Sequence, residues 1–381
     1  MTQCRRLLVA MILFAWPLAA SAEDLIETPA KQAILMEHAS GTVLFAKNAE
    51  FPAPPSSMSK LMTLYLLFER LSDGRLGLED SFKVSEKAWR MGGSKMFVAV
   101  GHDAKIEDLI RGIVVQSGND ACIVVAEGIS GSEKAFADLM NRRAREIGLK
   151  DSHFINASGW PEPGHVMSAR DLAILAKRLI DDFPQYYHYF QEKTFTYSEI
   201  RQGNRNPLLY KNIGADGLKT GHTEAAGFGL VASAIRDGRR LVLVVNGLES
   251  VNQRSRESER LLNWGFREFG SYSLFKAGEV VEEADVWLGS DDVVPLIVEA
   301  PVEIIMARRA RKDLEVSVHY ASPLPAPISK GDQLATLRVT APGLATVERP
   351  LLAGADVDQL GVFGRLGAAI EYLLFGGVSP Q

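Results

Sequence analysis

The chain has 381 residues, a formal net charge of −5 and an apolar share of 46%. That length suits about two domains of ~150 residues each, and the apolar share is that of a globular protein with a sizeable core. The acidic balance excludes an electrostatic case for nucleic-acid binding.

The N-terminus reads as an export signal. Arg5 and Arg6 form a basic start, residues 7–18 an apolar run, and Ala20-Ser21-Ala22 a small-residue cleavage site. Removal of residues 1–22 is expected. The apolar run is shorter than the ~20 residues a membrane span needs. No cysteine follows the cut, so lipid attachment there is not expected. Cys4 leaves with the leader, which makes an intrachain disulfide impossible. Cys122 sits in the run Ala121-Cys122-Ile123-Val124-Val125-Ala126 and is expected to be a buried, inert thiol.

In chain order, Ala33-Ile34-Leu35-Met36 and Thr42-Val43-Leu44-Phe45 predict an antiparallel hairpin around Ser40-Gly41. Pro52, Pro54 and Pro55 then lead into a helix expected over residues 57–71, closed by Ser72-Asp73-Gly74. Residues 106–147 and 169–182 are expected to be mainly helical. Strands 230–235 and 241–245 flank Asp237-Gly238, a strong hairpin signal, and residues 251–268 predict a last helix. Strands at both ends with helices between them predict an α+β unit, with an antiparallel sheet covered by helices. From residue 277 the chain changes to short β-rich runs separated by Pro and Gly, which predicts a small all-β domain over 277–352. Residues 361–375 carry Val362, Phe363, Leu366, Ile370, Leu373 and Leu374. About 15 helical residues reach only ~22 Å, so an amphipathic helix lying on a membrane surface is expected in the 353–381 segment. Packing of that helix on the β domain is the alternative. The expected domains are therefore a 1–22 leader, a 23–276 catalytic unit, the 277–352 β domain and the 353–381 tail.

Three motifs carry the chemistry: Ser57-Met58-Ser59-Lys60, Ser117-Gly118-Asn119 and Lys219-Thr220-Gly221. A serine hydroxyl needs a base to become a nucleophile, and Lys60, one helical turn on, falls on the same face. A lysine serves as base only if its pKa is lowered, which burial and a second cation such as Lys219 would do. S-x-x-K recurs at Ser273-Leu274-Phe275-Lys276 and S-x-N at Ser250-Val251-Asn252, whereas Lys-Thr-Gly occurs once. The order and context of the first set make it specific. Ser117 could instead be only a turn residue, Thr220-Gly221 only a strand-start turn, and Arg254 only a solvated charge. His222 suggests no Ser-His-Asp triad, because the lysine motifs leave histidine no task.

S-x-x-K, S-x-N and K-T-G are the signature of penicillin-binding proteins and class A β-lactamases. The chain resembles the low-molecular-mass penicillin-binding proteins that are serine-type D-alanyl-D-alanine carboxypeptidases. The likeness runs from about Ala33 through the tail and includes His222-Thr223 after the third motif and Glu257-Ser258-Glu259-Arg260-Leu261-Leu262-Asn263-Trp264-Gly265-Phe266. The resemblance implies a penicilloyl-serine transferase fold, a periplasmic location and a membrane-surface anchor. It implies Ser57 as nucleophile, Lys60 as general base, and Ser117 with Lys219 as the proton path to the leaving D-alanine. Asn119 would hold Lys60 and bind the substrate amide. The N–H groups of Ser57 and His222 would form the oxyanion hole. Thr220, Gly221 and Arg254 would bind the terminal carboxylate, with Arg256 close enough to compete for that part. Stem peptides and β-lactams are the implied partners, and no metal or organic cofactor is implied. Two departures stand out. The tail has Arg365 as its one cation, balanced by Glu371, so attraction to anionic lipid should be weak. Residues 89–97 match the family's active-site loop only loosely.

The same motifs would serve a D,D-endopeptidase or a β-lactamase. Glu162, between prolines, has no E-x-x-x-N setting for a β-lactamase base, and the β domain and tail are surplus to that reading. The seven histidines contain no H-E-x-x-H, which argues against a zinc peptidase. A non-catalytic scaffold would be expected to carry a broken motif set, and this one is intact.

Overall fold

A computed structural model describes residues 26–364. The expected leader and most of the expected tail helix lie outside the described residues.

The first unit begins with the hairpin of β1 (Gln32–Glu37) and β2 (Val43–Lys47). A 3-10 turn, Ser56–Ser59, leads into α1 (Lys60–Ser72). After β3 (Ser81–Lys83), α2 (Glu86–Arg90) and β4 (Asp103–Lys105) come α3 (Ile106–Val114), α4 (Asn119–Ser130), α5 (Glu133–Glu146) and α6 (Ala169–Asp182). A small hairpin, β5 (Thr194–Tyr197) and β6 (Ile200–Gly203), precedes β7 (Ala215–Thr223), β8 (Gly227–Arg236), β9 (Arg239–Leu248) and α7 (Val251–Glu268).

The central sheet has the order β2-β1-β9-β8-β7, antiparallel throughout, with β8 and β9 joined at Asp237-Gly238 as expected. Its inner strands are apolar on both faces because both are covered. Ile34, Val231, Val242 and Val244 join the core shared with α1 and α6, while Leu35, Leu230, Leu241 and Leu243 join the core under α7. Helix α4 is the hub. Every residue from Asn119 to Ala126 is buried, and a helix buried all round has to sit in the middle of its domain.

The second unit is all-β, built around its own apolar cluster. Strand β10 (Phe269–Phe275) pairs with β13 (Val302–Ala307). Strands β11 (Val280–Trp287), β12 (Val293–Ile297), β14 (Glu315–His319), β15 (Leu324–Pro325), β16 (Gln333–Ala341) and β17 (Leu344–Ala353) form a six-stranded sheet. Because β10 pairs with β13, the β-rich pairing begins at Phe269, ahead of the expected boundary at 277. Ser273 of the second S-x-x-K lies in β10 and Lys276 follows the strand's last residue, so this motif does not sit on a helical turn. Among the described residues no helix is long and apolar enough to cross a membrane.

Candidate active site

The three motifs, spread over 165 positions of sequence, converge between α1, α4 and β7. Ser57 is not the first residue of an α-helix, as expected, but the second of the 3-10 turn; α1 starts at Lys60. The cause is local. Pro54-Pro55 precede the turn, and Ser56 is held at φ 51°, a left-handed conformation outside any right-handed helix. The correction strengthens the Ser-Lys pairing, because at 3.0 residues per turn positions i and i+3 eclipse. Lys60 Nζ donates to Ser57 Oγ at 2.8 Å.

Lys60 is fully buried, and its ammonium also donates to Asn119 Oδ1 at 2.7 Å and to the Ser158 carbonyl at 2.5 Å. All three donors of the charged form are therefore matched. Burial, helped by the charge of Arg205, lowers its pKa from 10.5 to about 8, with Asp120 pulling the other way. Near neutral pH this amine exchanges its proton readily, as a general base must.

The second motif sits in the bend between α3 and α4. Ser117 has φ 58° and is buried, with no partner for its Oγ among the described residues. Asn119 opens α4. Its Oδ1 accepts from Lys60 as expected, but its Nδ2 donates to the Gly92 carbonyl at 2.9 Å, so the amide faces the 92–98 loop as well as the lysine. Asp120, which sequence reasoning missed, fixes that loop: its carboxylate accepts from the N–H groups of Met96, Phe97 and Val98. Its one mark in the sequence is an acidic residue directly after S-x-N, at the head of the apolar run 121–126. The segment that matched its family loop loosely is thus tied to both the second motif and α4. Cys122, one turn along α4, is fully buried and its thiol is pushed up to about 12 by burial, which makes it the inert cysteine expected.

The third motif lies inside β7, the sheet edge, not in a turn. Gly221 has to be glycine: a Cβ there would stand 2.9 Å from the Pro55 carbonyl oxygen and 3.2 Å from Ser56 Cβ. Its absence lets β7 lie against the turn that carries Ser57, and Ser56 Oγ donates to Thr223 Oγ1 at 3.3 Å on the far side of His222. His222 itself is exposed and stacks on Phe228, with ring centroids 3.9 Å apart. Thr220 is buried. Lys219 is fully buried, and its pKa is lowered well below the ordinary value by burial first, then by the charges of Lys60, Arg205 and Arg254. Its Nζ donates to the Thr220 carbonyl at 3.2 Å.

Arg254 and Arg256 are told apart by burial. Arg254 points inward, 5% exposed, whereas Arg256 is exposed. The Arg254 guanidinium donates at long range to the Gly229 and Arg205 carbonyls, leaves Nε without a partner among the described residues, and has its pKa lowered to about 10 by burial and by Arg205. A buried cation whose donors are poorly matched is a site for an anion. Arg205, which donates to Ser94 Oγ at 2.6 Å, is a further cation that no motif announced.

The last wall comes from residues 156–165. Asn156 Oδ1 accepts from the N–H groups of Ser158, Gly159 and Trp160, a turn that aims the Ser158 carbonyl at Lys60. Gly159, at φ 74°, passes so close to the Ser56 carbonyl that a Cβ would come within 2.0 Å of it. Glu162 lies beside a cavity of about 280 Å³ bounded by this loop, Ser56 and Thr223. Among the described residues no three His, Cys, Asp or Glu side chains gather in a way that could hold a metal ion.

Two sequence families match the chain: one described as D-alanyl-D-alanine carboxypeptidase over residues 18–250, and one described as the C-terminal domain of penicillin-binding protein 5 over residues 269–359. The D-alanyl-D-alanine carboxypeptidase DacC of Escherichia coli (strain K12) is 38% identical, with 93% of this chain and 92% of that protein covered. The crystal structure of penicillin-binding protein 5 from Haemophilus influenzae superposes with a TM-score of 0.78 at 34% identity, covering 88% of this chain and 99% of that one. Penicillin-binding protein D2 from Listeria monocytogenes, solved in its ampicillin-bound form, superposes with a TM-score of 0.58 at 27% identity, covering 63% of this chain and 98% of that one. By these matches the chain belongs to the serine-type D-alanyl-D-alanine carboxypeptidases, a family of penicillin-binding proteins.

Proposed function

We propose that this enzyme removes the terminal D-alanine from peptidoglycan stem pentapeptides through an acyl-enzyme on Ser57. The observation that carries the proposal is the 2.8 Å contact between Lys60 Nζ and Ser57 Oγ, made by an amine whose pKa is lowered to about 8. In its neutral form Lys60 accepts the Ser57 proton as Oγ attacks the penultimate carbonyl carbon. The tetrahedral oxyanion is held by the N–H groups of Ser57 and His222, which the close approach of β7 to the 3-10 turn supports. Ser117 passes the proton taken up by Lys60 on to the leaving amine, with Lys219 acting on it electrostatically. Asn119 holds Lys60 in line. The leaving carboxylate binds at Thr220, Gly221 and Arg254, where the under-matched guanidinium supports the reading. Water activated by Lys60 then releases the shortened peptide.

A β-lactam presents the same carbonyl and carboxylate, so the enzyme is expected to be acylated by penicillin at Ser57. Acylation should speed up about tenfold per pH unit below pH 8 and level off above it, because the neutral amine is the active form. A rate that falls as pH rises from 6 to 8 contradicts Lys60 as base.

We further infer export to the periplasm and peripheral attachment to the inner membrane. Arg5-Arg6, the apolar 7–18 run and the apolar face of 361–375 support this reading. Removal of residues after Gly354 is expected to release the protein from membranes with its D-alanine release intact. Truncated protein that still sediments with membranes argues against the anchor.

A further inference from the structure

We propose that Asp120 is a positioning residue for the reaction: its carboxylate holds the 92–98 segment where the Gly92 carbonyl keeps the Asn119 amide turned with Oδ1, and not Nδ2, towards Lys60. This rests on the peptidase reading above and adds to it a residue that touches neither the substrate nor the nucleophile.

The amide is the first link. An asparagine side chain carries an acceptor on one end and a donor group on the other, and a half turn exchanges them. Here Oδ1 accepts from Lys60 Nζ at 2.7 Å while Nδ2 donates to the Gly92 carbonyl at 2.9 Å. The Gly92 carbonyl sets that orientation. In the flipped amide Oδ1 would face the carbonyl, acceptor against acceptor, and Nδ2 would face the Lys60 ammonium, donor against donor.

The carboxylate is the second link. Residues 92–98 are neither helix nor strand, so no ladder of their own holds them. Asp120 Oδ1 accepts from the Met96 N–H at 2.9 Å, and Oδ2 accepts from the N–H groups of Phe97 at 2.9 Å and Val98 at 3.3 Å. The carboxylate is fully buried, where bonds to a charged acceptor are strong. One backbone bond, from the Asn119 N–H to the Ser94 carbonyl at 2.8 Å, is a further tie to α4. On the other side Gln202 of β6 donates to the Lys95 carbonyl at 3.0 Å, and Arg205 donates to Ser94 Oγ at 2.6 Å. Without Asp120 these side-chain ties run to β6 and the residues after it, away from Asn119. The fit is close: a Cβ on Gly93, at φ 73°, would stand 2.8 Å from Asn119 Nδ2.

Charge adds a signature that a purely structural residue lacks. The titratable and charged groups around the Lys60 amine are Cys122, Arg205, Asp120, Lys219 and His165. Near neutral pH Cys122 and His165 carry no charge, because burial pushes the thiol up to about 12 and the imidazole down to about 4. Asp120 is then the acid that works against Arg205 and Lys219, and it favours the charged form of Lys60. Its loss should let Lys60 give up its proton more easily.

The test follows acylation of the mature full-length chain by a labelled penicillin across pH, with each rate expressed per site labelled at completion. Asp120→Asn places an NH2 group against the N–H groups of residues 96–98. It should lower the plateau rate per site by about ten- to a hundredfold and move the break in the profile from about pH 8 downward by about half a unit to one unit. Asp120→Glu keeps the charge but displaces it by one methylene; it should lower the plateau and leave the break in place. A role in folding alone would reduce the number of labelled sites and leave the rate at each of them unchanged. Gly93→Ala disturbs the amide from the segment's side with Asp120 intact, so it should also lower the plateau, and it stands in for an Asp120 variant that fails to fold. A plateau per site within about twofold of wild type in Asp120→Asn, or in Gly93→Ala where the former yields no folded protein, overturns the proposal and leaves the peptidase reading standing. A wild-type profile with no break near pH 8 overturns Lys60 as base and the proposal with it.

Discussion

The two units treat buried polarity in opposite ways. Among residues 26–268 the buried side chains include Lys60, Lys219, Arg254, Asp120, Asp171 and Glu257, whereas among the described residues from 269 onward no polar or charged side chain is buried. Among the described residues, buried side-chain atoms that lack a partner, such as those of Ser117 and Arg254, also fall only in the first unit. A domain selected for packing alone has no reason to enclose three cations. Each resists desolvation, and Lys60, Arg205 and Arg254 add to the cost of charging Lys219. In the proposed mechanism the same burial supplies the base, Lys60, and the carboxylate partner, Arg254. The described core of the second unit is uniformly apolar. Function is therefore concentrated where stability is spent.

The sharpest way to break this contrast is to remove the base. Lys60→Ala should slow acylation by penicillin by about 10²- to 10⁴-fold in stopped-flow measurements. A loss of less than tenfold would mean that the buried amine is structural. A cavity in the second unit should act the other way. Leu337 is fully buried in its core, so Leu337→Ala should cost about 2–5 kcal/mol in denaturant unfolding of that unit while leaving the acylation rate of folded protein unchanged. A slowed acylation would show that the two units are coupled.

Acid should expose the first unit's buried imidazole. His165 has its pKa lowered from 6.5 to about 4, so the unfolded chain binds its proton first. Stability contributed by the neutral ring is full above pH 6.5 and is lost as pH falls to about 4, by about 3 kcal/mol. Unfolding curves of His165→Gln should lack that part of the slope; identical pH dependence in both proteins would refute it. The smallest effect is local. Ser250 Oγ accepts from the Gln253 N–H at 3.1 Å and caps α7, so Ser250→Ala should cost about 1 kcal/mol. A neutral change would place the stability of α7 wholly in its packing on β8 and β9.

What could be read from sequence follows the range of the interactions. The hairpins, the helices over 106–147, 169–182 and 251–268, and the three motifs all announce themselves through local spacing. The triad of acceptors around Lys60 does not. Ser158 contributes a backbone carbonyl from 98 positions away, and a carbonyl has no residue-type signature. Asp120 and Arg205 act through a loop and a charge field that only the packed fold assembles. The 3-10 start of α1 escaped because prolines before a serine-rich turn are compatible with either helix, and the φ of Ser56 decides between them. Strand β10 escaped for another reason: it follows α7 without a break, and only its partner β13 reveals it as part of the second unit.

The most direct test of the account is covalent labelling of the mature chain and its Ser57→Ala variant with a fluorescent penicillin, followed by denaturing electrophoresis and peptide mapping. The account predicts one labelled site, at Ser57, in the wild-type protein and no label in a variant that melts as the wild type does. Label retained in Ser57→Ala, or mapped to Ser117 or Cys122, would contradict it.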